Sequence, residues 1–298
     1  MARTRSARTA PLPGELPVYR FRMTRFRVVD AFTDRAFAGN PAAVLILDQP
    51  YTDGWAQQVA AEFNLSETAF ARRLPPGAAG QGAAGAADYE LRWFTPAVEV
   101  DLCGHATLAT AHALAEDGVR GTVRFATRSS GVLTVAERDG TLWMDFPANP
   151  PAPAGVPAGL AGALGAEPVR AAAAGTGDLL VELASEEAVR ALDPDIPRLG
   201  AFAERGVVPT APAAPGRPHS FVSRFFAPNV GVAEDPVTGS AHTALAPYWA
   251  ERLGRTAFDA VQCSARGGLL SLELPADTPG RVRIGGTAVT VTEGELRY

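Results

Sequence analysis

The sequence predicts an α/β (α+β) protein of two pseudo-symmetric domains, each a curved β-sheet around one central α-helix. Three observations carry this expectation. A length of 298 residues exceeds what one hydrophobic core usually organises. The motif Arg92-x-Phe94-x-Pro96 recurs as Arg224-x-Phe226-x-Pro228. Gly104-His105-Ala106 then follows Pro96 by eight residues, and Gly239-Ser240-Ala241 follows Pro228 by eleven, each opening an alanine-rich helix.

Residues 1–22 carry arginines and prolines without an apolar core and are expected to form a disordered extension. Residues 25–29 alternate like a strand, Gly39-Asn40-Pro41 turns, and residues 42–47 form an apolar run, giving a hairpin-like opening. Thr52 or Asp53 can cap a helix over 54–63. Asn64-Leu65-Ser66-Glu67 leads into an extended stretch over 68–72, so Glu67 sits at a loop-to-strand junction. Residues 75–87 contain only Pro, Gly, Ala and one Gln, the composition of a flexible surface loop. Within them Gly80-Gln81-Gly82-Ala83-Ala84-Gly85 matches a dinucleotide fingerprint, but a strand-like 89–94 follows where a helix is required, so the match reads as chance.

Residues 104–114 form a strong helix, apolar enough to be buried, ending near Gly118. Strands are expected at 121–127, 131–137 and 141–146, and the Pro/Ala/Gly stretch 147–162 is the best linker candidate. The domains are accordingly placed at 23–147 and 148–285, with a C-terminal strand at about 286–298 returning to the first.

Composition excludes several functions. All 27 basic residues are arginines, so no lysine is available for a pyridoxal-phosphate Schiff base or a P-loop. The net charge of −5 offers no basic field for nucleic acid or an anionic membrane. Two cysteines, Cys103 and Cys263, cannot build a disulfide framework or a multi-thiolate zinc site, and a reducing cytoplasm is the expected compartment. Neither a signal peptide nor an apolar run long enough to span a membrane is present.

The pseudo-symmetry puts two helix N-termini at a shared cleft, where free N–H groups and positive dipole ends suit a carboxylate or a developing enolate. Glu67 lies among Leu65, Ala69 and Phe70, which can desolvate it and raise its pKa; on local pattern alone it also reads as a solvated surface acid. His105 is in the first turn of the central helix, where the dipole favours a neutral ring able to donate to a ligand; a capping or core histidine is the alternative. Cys103 precedes that helix, where a thiol's pKa should fall, or it is an inert buried thiol. Before the second helix, Asp235 and Ser240 are the stronger ligand contacts beside Gly239, and otherwise serve as turn and N-cap residues. His105, His242 and Asp235 are the weak candidates for a metal site.

Five ordered segments together resemble the PhzF-like phenazine-biosynthesis family, whose fold is similar to diaminopimelate epimerase and proline racemase. They are Val29-Asp30-Ala31-Phe32-Thr33 with Gly39-Asn40-Pro41, then Asn64-Leu65-Ser66-Glu67-Thr68, Phe94-Thr95-Pro96, Cys103-Gly104-His105-Ala106-Thr107, and Glu234-Asp235-Pro236-Val237-Thr238-Gly239-Ser240-Ala241. The resemblance implies a metal-free, cofactor-independent homodimer with its active site between the two domains. It further implies Glu67 as a proton shuttle, catalytic roles for His105 and Asp235, and ligand contacts at Ser66, Gly104, Gly239 and Ser240. Related epimerases use a cysteine before each central helix; Cys103 matches the first, and Pro236-Val237-Thr238-Gly239 stands at the second, so a two-thiol racemase is disfavoured. The expected activity is isomerisation of a small carboxylic acid. A Cys103-assisted epimerase and a non-catalytic metabolite-binding protein are the alternatives.

Overall fold

The computed structural model describes residues 23–78 and 86–298. The expected N-terminal extension and the Gly80–Gly85 fingerprint lie outside the described residues. The first half runs β1 (Met23–Ala31), β2 (Asn40–Leu47), α1 (Asp53–Phe63), β3 (Glu67–Arg73), β4 (Tyr89–Phe94), β5 (Glu99–Val100), α2 (Gly104–Glu116), β6 (Thr122–Ala126), β7 (Val132–Arg138) and β8 (Thr141–Pro147). The second runs β9 (Ala152–Ala154), α3 (Leu160–Leu164), β10 (Arg170–Ala174), β11 (Asp178–Glu182), α4 (Glu186–Arg190), α5 (Ile196–Leu199), β12 (Gly206–Pro212), β13 (Phe221–Ser223), α6 (Gly239–Leu253), β14 (Ala257–Gln262), β15 (Gly268–Glu273), β16 (Arg281–Gly286) and β17 (Ala288–Arg297).

Strand pairing shows the pseudo-symmetry directly. One run is β17–β1–β2–β3–β4–β6–β7–β8. The other is β9–β10–β11–β12–β13–β14–β15–β16. In both, successive pairs are antiparallel, antiparallel, parallel, antiparallel, parallel, antiparallel and antiparallel. The runs meet at an antiparallel β8–β16 pair, and the last strand of the second half crosses over: β17 pairs with β1 and completes the first run. The stretch 147–162 is therefore more than a linker. Its Ala-Pro-Ala segment pairs with β10, and Leu160 is fully buried.

Each run wraps one central helix. α2 packs against β1, β2, β3, β8 and β17, and nine of its 13 residues are buried, which its small Ala and Thr side chains permit. α6 buries Ala241, Leu245 and Trp249, with Trp249 stacked on Phe221 at 5.4 Å and its indole N–H donating to Thr210 at 2.9 Å. Pro247 inside α6 has no N–H, so the Thr243 carbonyl one turn earlier lacks its helical partner. The backbone N–H of Asn149, just after β8, donates to it at 3.0 Å.

The repeated Arg-x-Phe-x-Pro motif is a pin. Arg92 stacks over Phe94 at 4.9 Å and forks onto Glu99 with donations of 2.7 and 2.8 Å. Arg224 stacks over Phe226 at 4.8 Å and forks onto Glu234 at 2.7 and 2.9 Å. Each glutamate lies five residues before the glycine that opens a central helix, so each pin holds the chain that delivers a helix N-terminus. Arg92 is 5 % exposed. Arg92→Met leaves Glu99 with only the exposed Arg128, at 2.9 Å, and removes the cation stacked on Phe94; it is expected to cost about 2 kcal/mol in chemical denaturation, and a loss under about 0.5 kcal/mol would show that the pin is dispensable.

Candidate active site

α2 and α6 meet end to end. A Cβ built on Gly104 would lie 3.7 Å from the Gly239 Cα, and one built on Gly239 would lie 3.8 Å from the Gly104 Cα. The residues preceding the helices, Cys103 and Thr238, make no side-chain capping bond, so first-turn N–H groups of both helices stay available. A cavity of about 1170 Å³ opens over this junction. Ser66, Glu67, Cys103, Gly104, His105, Asp235, Gly239 and Ser240 all line it, so of the positions singled out in the sequence His242 alone lies elsewhere.

Glu67 is the first residue of β3, aligned with Ala42 of β2. Burial pushes its carboxyl up to about 7, the neighbouring Asp235 adds to the rise, and a hydrogen bond with Cys103 opposes it. Its Oε2 lies 3.3 Å from His105 Nε2, but without the alignment of a hydrogen bond, so this buried oxygen keeps a lone pair without a partner. Burial holds His105 down at about 3, hence neutral.

Asn40 is a site residue that sequence reasoning missed, because Gly39-Asn40-Pro41 reads as a turn. Gly39 has φ +65°, and a Cβ there would fall 2.1 Å from the Ala31 carbonyl oxygen, so only glycine can deliver the fully buried Asn40 to its place behind His105 and Asp235. The Asn40 amide nitrogen donates to Asp235 Oδ1 at 2.8 Å and to the Val237 carbonyl at 3.0 Å, and lies 3.2 Å from His105 Nδ1. The two hydrogens of that amide go to Asp235 and Val237, and the His105 ring presents Nε2 to the Glu67 carboxyl at 3.3 Å. Asp235 also accepts from the Thr238 hydroxyl, and burial raises it to about 6. Gln262 closes the loop, accepting from Thr238 N–H at 2.9 Å and donating to the Asp235 carbonyl at 2.7 Å.

Of the two readings of Cys103, the structure bears out the buried thiol and not the lowered one. Full burial and the nearby Glu67 push its thiol well above the ordinary range, so it stays protonated. The proposed metal trio does not assemble either. His242 turns away, with Nδ1 2.8 Å from the Thr238 carbonyl and Nε2 3.4 Å from the Ser223 hydroxyl. Glu67, Cys103 and His105 instead bring donor atoms within 4.8 Å of one another, a set zinc accepts, although two positive helix ends at the same point disfavour a cation.

Gly104 and Gly239 carry no positive φ, and an added Cβ at either meets only ordinary contact. Folding does not require glycine there; an unobstructed approach to the backbone does. Gly239→Ala is expected to leave the melting temperature within about 2 °C of wild type while weakening small-acid binding at least about tenfold. Unchanged binding would show that ligands do not reach the helix ends.

Residues 29–294 match the model of the PhzC-PhzF family, described as phenazine biosynthesis-like protein. An uncharacterized isomerase of Pseudomonas aeruginosa is 49% identical over 274 residues, covering 91% of this chain and 98% of that protein. The crystal structure of a PhzF-family phenazine biosynthesis protein from Enterococcus faecalis superposes with a TM-score of 0.84 at 39% identity, covering 92% of this chain and 99% of that one. A hydroxyproline epimerase from Agrobacterium vitis shares the fold alone, at a TM-score of 0.61 and 13% identity over 93% of each chain. With its paired domains, its two apposed helix starts and this extent of similarity, the chain belongs to the PhzC-PhzF family of phenazine biosynthesis-like proteins.

Proposed function

We propose that this protein is a cofactor-independent isomerase that moves a proton between two carbons of a small carboxylic acid, with Glu67 as the general acid/base. The observation that carries this reading is the buried, unpartnered Oε2 of Glu67, on a carboxyl pushed up to about 7, beside two uncapped helix starts. A carboxylate near that value is both a competent base and, once protonated, a competent acid at neutral pH.

In this scheme the helix ends and Ser240 bind the substrate carboxylate, with Ser66 at the rim. Glu67 Oε2 takes the proton as a C–H bond breaks, and the electron pair spreads into the conjugated acid. His105 donates through Nε2 to the oxygen that gains charge. Asp235, held by Asn40 and Thr238, fixes the loop before α6 and keeps Glu67 high by its own charge. Glu67 then returns the proton to a second carbon, with no net redox change. Assembly as a homodimer in the cytoplasm belongs to the same reading.

An epimerase assisted by Cys103 is the second reading, favoured by the thiol's 3.5 Å approach to His105 Nδ1 and by its hydrogen bond with Glu67. A thiol kept protonated can deliver hydrogen to the opposite face of a carbon. Thr238, and not Pro236 as the sequence motif predicts, precedes α6 as Cys103 precedes α2, so no second thiol is available there.

In D₂O, wild type is expected to place solvent deuterium into the isomerised acid, and Glu67→Gln to lower uptake by about 10²–10⁴-fold. Retention of uptake in Glu67→Gln removes the proposed base; full turnover in Cys103→Ala removes the second reading. The acid limb of kcat/KM should have its midpoint near 7, since below it Glu67 holds a proton and cannot act as a base. Asp235→Asn deletes a like charge and should move that limb to lower pH.

A further inference from the structure

Arg205, the residue before β12, takes no part in the proton transfer, yet it is the one arginine among the described residues lining the cavity. The other ionisable lining groups are the acids Glu67 and Asp235, the neutral His105 and the protonated Cys103. Arg205 is thus the one formal cation facing the ligand space among the described residues.

Its guanidinium is held rigidly. Nε donates to Asp178 Oδ1 at 2.8 Å, Nη2 donates to Asp178 Oδ2, and Phe225 lies beneath with its ring centroid 5.0 Å away. The Asp178 side chain is fully buried and also accepts from the Thr176 hydroxyl at 2.7 Å. An ion pair serving only to tie β11 to the start of β12 would end there. Instead Nη1 reaches Ser240 in the first turn of α6, donating to its Oγ at 2.9 Å. Because Ser240 Oγ accepts from Arg205, its own hydroxyl hydrogen is left for another acceptor. Five guanidinium hydrogens, two used on Asp178 and one on Ser240, leave two more. The field of Arg205 also reaches Asp235, where it opposes the rise caused by burial.

We propose that Arg205 is the specificity-determining residue for the substrate carboxylate, which its Nη1 edge and the Ser240 hydroxyl it orients grip at the N-terminus of α6. This rests on the carboxylic-acid part of the proposed function and not on the identity of the base. Two consequences follow from the chemistry. Neutral analogues of the acid, its amide above all, are rejected, because they leave the arginine without an anion. The carboxylate lies on the second-domain wall of the cleft, across from β3 and Glu67.

Benzoate and benzamide, equal in size and different in charge, test this by calorimetric titration into the whole protein at pH 7.5 and low salt. Wild type is expected to prefer benzoate by about tenfold or more. Arg205→Gln should abolish that preference while benzamide affinity stays within about twofold, and Arg205→Lys should retain part of it. Equal loss of both probes in Arg205→Gln would mean that the arginine merely supports the wall. An unchanged benzoate preference in Arg205→Gln, or none in wild type, would also overturn the proposal. Glu67→Gln should keep the preference whether or not deuterium uptake stops, which separates failure of the carboxylate grip from failure of the base.

Discussion

The arrangement that everything at the centre depends on is the head-to-head meeting of two helices at Gly104 and Gly239. Two positive dipole ends repel, and each free helix start carries roughly half an elementary charge. Such a junction needs external support. The two Arg-Phe-Glu pins secure the chain into each helix, and the buried Asn40 ties β2 to Asp235 and Val237 in the loop before α6. The resulting positive potential, in a cavity where few polar groups can answer it, makes an anionic ligand the natural occupant.

Desolvation then sets the chemistry. Burial raises both Glu67 and Asp235 and lowers His105, so all three are displaced toward neutral forms. One pKa unit corresponds to about 1.4 kcal/mol. A carboxyl raised in the folded state destabilises the fold increasingly as pH climbs from its unfolded value through its folded one. The site therefore costs stability near neutral pH, and the extended apolar core around α2 and α6 offsets it. A carboxyl carried at such a cost, with one oxygen left unpartnered, is placed for proton transfer rather than for folding.

Much of this was legible in the sequence because local chemistry produces it. Arg92-x-Phe94 and Arg224-x-Phe226 repeat because each arginine must stack and fork in the same way, and the alanine-rich runs after Gly104 and Gly239 are what a helix buried on all sides requires. Glu99 and Glu234, which complete the pins, went unnoticed, since a lone acid carries no pattern and the loop between differs by three residues. The strand Ala152–Ala154 was hidden too, because pairing with β10 creates it and not the strand propensity of Ala-Pro-Ala. In the site, Arg205 escaped because its partners lie 27 and 35 residues away. For Cys103 the sequence left a lowered thiol and a buried one side by side, and the fold decides between them: the helix start lowers a thiol's pKa, but complete burial beside a carboxyl outweighs it.

The central claim is that the cleft keeps Glu67 desolvated and poised near neutrality. A ¹³C-detected NMR titration of the Glu67 side-chain carboxyl, assigned by comparison with Glu67→Gln, measures this without any substrate. The account predicts a midpoint near 7. A midpoint near the ordinary 4.5 would show a solvated surface acid and contradict it.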